Sequence, residues 1–396
     1  WRTSAPRASL DGKPPLNIMV VEDIRATRPT NNAILWVVTG ASPRLLAGLF
    51  YSIASVIWTG GLSPVDRERF AYVIAHDSLA CADVTARFPR ACHELDAHAF
   101  APRGPRTNAS CAAAPEPLAR GGDFVLLNVS RAIDDARLDR FLAAARGQGN
   151  ALGLERRQAA LGSTFRWIAD TYLLTIGVKR FVYLDVDTCV SRPLARVLSS
   201  KTKLAPVVVA RRSARESAAE SNQWTRLDPA ARKQLEDVWG FDAARHQFNA
   251  GVLFVDAEQY CALDAYERII SAAEQHASMI PRAGLVNVFA EVALARHVVR
   301  ISEHWNCRRQ FSHRDLAAPP ANVSDICPSK VKGPACGVVH APPKYDRRVR
   351  AIRPAHLARG VPYHLPGARG RGGAKSPAEL RAALKAMRAA KHARSA

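Results

Sequence analysis

The sequence predicts an α/β domain, and three runs of residues carry that prediction. Ile34-Leu35-Trp36-Val37-Val38-Thr39 is an apolar run of strand length closed by Gly40-Ala41-Ser42-Pro43. Helical spacing then follows through Leu45, Leu46, Leu49, Ile53, Val56 and Ile57. Phe181 to Leu184 is a second apolar run, and it leads into Asp185-Val186-Asp187. Phe248 to Val255 is a third, with Asn249, Ala250 and Gly251 at its start, where the small residues point to close approach of backbone or ligand. Strands alternating with helices imply a largely parallel sheet.

The remaining elements follow in order. Residues 1–32 lack sustained periodicity and are expected to be an irregular lead-in, so the fold should occupy 33–346 as one domain. Phe70 to Ile74 predicts a strand ending near His76-Asp77. The stretch 88–122, rich in Pro, Ala, Arg and Gly, predicts an exposed insertion. Strand character returns at Phe124 to Val129, and Leu138 to Arg146 predicts a helix. A further helix is expected over Phe165 to Ile176, with Arg166 and Asp170 four apart on one face and positioned to pair as ions. Val207 to Val209 is a short strand. Tyr266 to Ala277 and Val286 to Leu294 read as helices. In the tail, 347–396, Gly367 to Gly373 is a flexible linker, and Ser376-Pro377-Ala378-Glu379 is a capping box that starts a short basic helix.

Composition narrows the function classes. With 396 residues, 48% of them hydrophobic, the chain can bury a substantial core. Its net charge of +21 is uneven: 344–396 carries fourteen Lys and Arg against two Asp and Glu. Such a tail attracts an anionic glycan or a membrane surface. No aromatic or Gly-rich recognition pattern accompanies it, so no specific nucleic-acid binding is expected. The eight cysteines form neither a Cys-x-x-Cys pair nor a Cys/His cluster at zinc spacing. Their even number and three sequons, at Asn108, Asn128 and Asn322, favour the lumen of the secretory pathway, with the Golgi as the expected compartment and the cytoplasm as the alternative. The chain begins at Trp1, in keeping with an N-terminal anchor lying outside it, and holds no run of eighteen apolar residues.

Asp185 and Asp187 are the most informative residues. Along an extended strand, alternation would turn both carboxylates to one side and Val186 to the core. Two hard oxygen ligands at the carboxyl end of a strand suit a divalent ion, Mn2+ or Mg2+, and through it a diphosphate. One Asp-x-Asp alone is a weak motif, and two like charges closing an apolar strand are what sets this one apart.

Tyr183-Leu184-Asp185-Val186-Asp187, then Phe248-Asn249-Ala250-Gly251-Val252, then His340 with a Lys shortly after, resemble glycosyltransferase family 8, the glycogenin-like and galactinol-synthase-like retaining enzymes. Phe165-Arg166-Trp167, Ser52 to Val56 and Trp305-Asn306-Cys307 are similar to further elements of that family. The resemblance spans about residues 33 to 346. It implies a GT-A fold, a Rossmann-like mixed sheet flanked by helices, and a UDP-sugar or related nucleotide-sugar donor. The acceptor would be a hydroxyl of a glycan, protein or small molecule. It further implies that Asp185, Asp187 and His340 bind Mn2+ (or Mg2+), that Lys344 and Arg166 meet the diphosphate, that Asn249, Ala250 and Gly251 line the sugar pocket, and that Thr39, Gly40 and Ala41 meet the nucleoside. Asp185, Asp187, Asn249 and Arg166 are the candidate catalytic residues. Two departures stand out. Arg282-Ala283-Gly284 stands in place of the family's Asp-Gln pair, and Pro342-Pro343 replaces the family's Gly in a shortened step from His340 to Lys344. Two rival readings follow: a family member that binds sugar nucleotides or glycans without turnover, and a phosphotransferase of the haloacid dehalogenase type, against which Cys189 stands where that family has Thr or Val.

Overall fold

A computed structural model describes residues 28–40, 43–58, 62, 64–97, 111–114, 117–130, 136–146, 154–190, 192–195, 197–198, 205–211, 227–242, 247–277, 286–308 and 338–340. In chain order these form β1 (Asn32–Val38), α1 (Pro43–Trp58), α2 (Pro64–Arg67), β2 (Ala71–His76), α3 (Cys81–Thr85), β3 (Cys92–Asp96), β4 (Phe124–Asn128), α4 (Ala136–Arg146) and α5 (Leu154–Thr175). Then come β5 (Arg180–Leu184), β6 (Thr188–Val190), β7 (Val207–Arg211), α6 (Pro229–Trp239), β8 (Phe248–Asp256), α7 (Ala257–Ala262), α8 (Ala265–His276) and α9 (Val286–Ala293). The described chain ends with β9 (Val298–Ile301), a 3-10 turn (Glu303–Asn306), β10 (Cys307–Arg308) and β11 (Val338–His340).

The main sheet has eight strands in the order β3-β4-β2-β1-β5-β8-β7-β9. Seven run the same way; β8 is reversed, antiparallel to both β5 and β7. This is the mixed, helix-flanked sheet that was expected, and its one antiparallel strand cannot be read from an apolar run, which looks alike in either direction. From β1 the chain moves out to β2, then to the edge strand β3, comes back to β4 between them, and crosses to β5 on the opposite side of β1. The β1–β5 boundary is therefore a topological switch point, and the crevice outside the carboxyl ends of its strands is where such sheets bind ligands.

Alternation along β1 feeds two cores. Ala33, Leu35 and Val37 face one layer with Phe165, Ile168, Tyr172, Tyr266, Ile269 and Phe289 of α5, α8 and α9. Ile34, Trp36 and Val38 face the other, closed by Leu49, Ile53, Val56 and Ile57 of α1. A sheet covered on both faces needs apolar strands throughout, which is why the strands read as runs.

Four differences from expectation have physical causes. β5 ends at Leu184, so Asp185 and Asp187 lie beyond the strand, not on it. Cys92–Asp96, inside the stretch expected to be an exposed insertion, is β3; it is an edge strand with two exposed residues and shows no apolar run. α6 and β9 were not foreseen, the first because charged residues fill its outer face, the second because it is four residues long. Residues 98–110, most of the lead-in and the tail lie outside the described residues. No helix among the described residues is long and apolar enough to cross a membrane.

Two disulfides tie peripheral chain to this frame. Cys81–Cys92 joins the start of α3 to β3, and Cys111–Cys261 ties a buried residue of the 111–114 segment to α7 across 150 residues. Cys189 and Cys307 are disulfide-bonded as well. Closing so long a loop restricts the unfolded chain most. Replacing Cys111 and Cys261 together by Ala is expected to lower unfolding free energy by about 2–5 kcal/mol in denaturant titration; an unchanged midpoint would refute this role.

Candidate functional site

At the carboxyl end of β5 the chain brings Arg166, Asp185 and Asp187 together. Asp185 N donates to Gly251 O at 2.8 Å, carrying the β5–β8 ladder one residue past the strand. The chain then turns: Asp185 O accepts from Thr188 N at 3.1 Å and from Thr188 Oγ1 at 2.7 Å. Asp at the first position of a turn is a favoured choice. Asp187 is exposed on that turn and Asp185 half-buried, so a turn, and not strand alternation, presents the two carboxylates.

Asp185 is held from the α5 side. Its Oδ1 accepts from Arg166 Nη1 at 3.0 Å and from the Tyr183 hydroxyl. The same Nη1 donates to Ala250 O at 3.0 Å, Arg166 Nε donates to Ser163 O at 3.0 Å, and the guanidinium lies 4.8 Å from the centre of the Tyr183 ring. Burial works to lower the Arg166 pKa, but Tyr183, Asp185 and Asp187 outweigh it and the pKa is raised. Burial pushes the Tyr183 phenol well up, so it stays a neutral donor to the carboxylate. Arg166 thus reaches Asp185, on a different element, while Asp170 is fully buried along α5.

From the α1 side a chain of buried hydroxyls holds the same turn. Trp36 Nε1 donates to Ser52 Oγ at 2.9 Å, and Ser52 Oγ lies 3.0 Å from Thr188 Oγ1. Thr188 gives its proton to Asp185 O, so Ser52 is the donor between the two hydroxyls. Ser55 Oγ accepts from Val190 N at 2.9 Å. α1 comes this close only because Gly48 has no side chain: a Cβ there would stand 2.9 Å from Val186 O.

Beside this turn, across the switch point, lies the end of β1. Thr39 is buried, and a Cβ on Gly162 of α5 would come within 2.3 Å of its Oγ1. Gly40 adopts φ +65°, a conformation suited to glycine, and its N donates to Asp77 Oδ2 at 2.6 Å. On the β8 side, Asn249 Oδ1 accepts from Gly251 N at 2.9 Å, and Asn249 O accepts from Asn306 Nδ2 at 3.0 Å. Trp305 packs edge-on against Phe254.

The structure therefore brings Thr39, Gly40, Arg166, Asp185, Asp187, Asn249, Ala250 and Gly251 to one edge of the sheet. β11 pairs antiparallel with β6, setting His340 opposite Thr188, the residue after Asp187. The side chain of His340, and all of Ala41 and Lys344, lie outside the described residues. Among the described residues no three His, Cys, Asp or Glu side chains gather as a metal site. Tyr183, Ser52, Thr188 and Asp77 were not foreseen as site residues. Tyr183 had a signal, since strand alternation puts it on the same side as Asp185; the hydroxyls had none, because their partners are distant in sequence.

The sequence matches no protein-family model and no curated protein. Its backbone is similar to that of mouse xyloside xylosyltransferase 1 in its apo form, at 10% identity and a TM-score of 0.47 over 79% of this chain and 98% of that one. It is also similar to the bifunctional glycosyltransferase WbbM, at 10% identity and 0.47 over 80% and 46%. For the galactosyltransferase LgtC with donor and acceptor sugar analogues the values are 12% and 0.42 over 78% and 86%.

Thr188→Val should cost about 1–3 kcal/mol in denaturant titration, because it removes the hydroxyl acceptor of Ser52 and the donor to Asp185 O; wild-type stability would refute the hydroxyl chain. At the end of β2, His76 Nδ1 accepts from Leu79 N at 2.8 Å, and burial lowers its pKa despite Asp77 and Glu94. A lowered folded value means that the unfolded state binds the proton first. The stability this provides is present above the ordinary imidazole value of 6.5 and is lost as pH falls through the lower folded value. Thermal melts from pH 8 down to 5, roughly the range in which imidazoles titrate, should show that decline, and His76→Gln should flatten it.

Proposed function

We propose that this chain is a glycosyltransferase of the GT-A type that moves a sugar from a UDP-sugar to a hydroxyl acceptor with help from Mn2+ or Mg2+. The observation that carries this reading is the convergence, at a switch point, of the Asp185–Thr188 turn with the backbone of His340. Two carboxylates and an imidazole are a donor set that Mn2+ accepts, so the residues fit the ion. Asp185, Asp187 and His340 would hold it, and once bound it would supply positive charge where a departing diphosphate develops negative charge.

The chain's own residues have definite tasks in this reading. Arg166 and Tyr183 fix the direction of the Asp185 side chain. Ser52 and Thr188 hold the turn so that Asp187 stays at the crevice. Thr39 and Gly40 offer a wall for the nucleoside, and the Asn249 to Gly251 segment borders the sugar. Lys344 is assigned to the diphosphate. Retention of configuration and membership of family 8 rest on the motifs in the sequence. The disulfides support an oxidising compartment, in keeping with the secretory lumen and the Golgi. The basic tail would contact an anionic glycan or membrane surface.

A second reading, sugar-nucleotide binding without turnover, is favoured by one observation: Arg282-Ala283-Gly284 stands where the resembled family has Asp-Gln. Hydrolysis of UDP-sugars in the presence of Mn2+ separates the two. Under the transfer reading, UDP with Mn2+ raises the thermal midpoint of the full chain. Asp187→Ala loses both that shift and turnover while keeping the wild-type circular dichroism spectrum. Turnover by folded Asp187→Ala at the wild-type rate would refute the metal role.

A further inference from the structure

The edge of the sheet that carries Asp185 also holds two arginines that the reading above leaves without a task. In the strand pairings Tyr183 stands opposite Leu253, Leu253 opposite Val209, and Val209 opposite Arg300. Residues paired in register share a face, so Arg300 lies on the face that presents Tyr183 and, two residues on, Asp185. Three strand spacings separate the ends of that row, roughly 14 Å. Arg211, at the end of β7, pairs with Phe248 past a bulge and is exposed.

Arg300 is a cation in poor surroundings. Its Nε and Nη2 are enclosed, with no hydrogen-bond acceptor within reach among the described residues. Burial lowers its pKa, Arg211 lowers it further, and Glu291 only partly opposes them. Glu291 is buried and its Oε1 accepts from Phe248 N at 3.2 Å. A guanidinium with enclosed, unused donors beside a second arginine is costly unless an oxyanion completes it, and its planar fork matches a carboxylate, sulfate or phosphate.

We infer that Arg300 and Arg211 form an oxyanion subsite for the acceptor, receiving a carboxylate, sulfate or phosphate group carried by the acceptor sugar. The inference rests on the transfer reading for the word acceptor. The donor's diphosphate belongs at the Asp185–Asp187 turn, three strand spacings along the sheet from Arg300, so the two anions would occupy separate places. The acceptor is thereby an acidic glycan or a glycoside bearing one acidic group.

Calorimetry on the full chain tests this with methyl glucuronide, glucose 6-sulfate and glucose 6-phosphate as probes, and with methyl glucoside and inorganic sulfate as controls. At least one acidic sugar should bind about tenfold or more tightly than methyl glucoside, and which one does so identifies the anion. Arg300→Gln and Arg211→Gln should each weaken that binding about tenfold while leaving the thermal response to UDP with Mn2+ unchanged. Arg300→Lys, which keeps the charge and loses the fork, serves if the Gln variant does not fold, and should also weaken it. Equal affinity for acidic and neutral sugars would overturn the inference. So would wild-type affinity in the folded variants, or inorganic sulfate binding as tightly as every acidic sugar, the result of an adventitious ion only. Binding of an acidic sugar through Arg300 without any response to UDP would keep the subsite and remove the transfer reading.

Discussion

The site depends on the ion pair between Arg166 and Asp185. A buried guanidinium needs a fixed anion, because removing one member of such a pair leaves an uncompensated charge in a poor dielectric. Here the anion lies at the end of a strand in another part of the fold, so the pair locks α5 to the β5–β8 edge. Tyr183 adds a neutral donor and a ring beneath the guanidinium. Asp185 is held from several sides: its N bonds to β8, its O to β6, and its Oδ1 to α5 and β5. A carboxylate so constrained can meet a ligand without having to be ordered at the moment of binding.

Around that pair, small and hydroxylated residues set distances. Gly48 and Gly162 let α1 and α5 come against the Val186 carbonyl and the Thr39 hydroxyl, approaches that any side chain would block. Trp36, Ser52 and Thr188 form a row of buried donors and acceptors in an otherwise apolar layer. Buried polar groups of this kind stabilise only when each is matched, and the matching here specifies a single position for the turn. The two core layers fix the helices, and the hydroxyl row fixes where the site sits between them.

Much of this was legible in the sequence, for definite reasons. Strands buried on both faces must be apolar throughout, and so β1, β2, β4, β5, β7 and β8 stood out. The helices α1, α4, α8 and α9 followed from spacing and length. Where the pattern is weak, the sequence does not show the element: β3 is polar and half-exposed, β9 is short, and α6 has four charged residues among its eleven. Asp185 and Asp187 were visible as a pair, but their presentation was misjudged, because a strand and a turn differ here only in whether Thr188 closes back on Asp185. Arg300 carried no local signal at all. The charges that act on it come from Arg211 and Glu291, each on another element.

By itself, the sequence determined the α/β class, the two carboxylates and the small residues opposite them. Those are local matters: the alternation of apolar length with turns, and residue types that stand side by side in the chain. Only the tertiary structure decided that β8 runs backwards, that β1 and β5 meet at the switch point, that Arg166 reaches Asp185, and that the backbone of His340 lies beside the turn. Each of those depends on contacts between residues tens to more than a hundred positions apart, and such contacts are chosen by how whole layers pack. No window along the chain contains that information, because the free energy that selects it belongs to the closed core and not to any one segment.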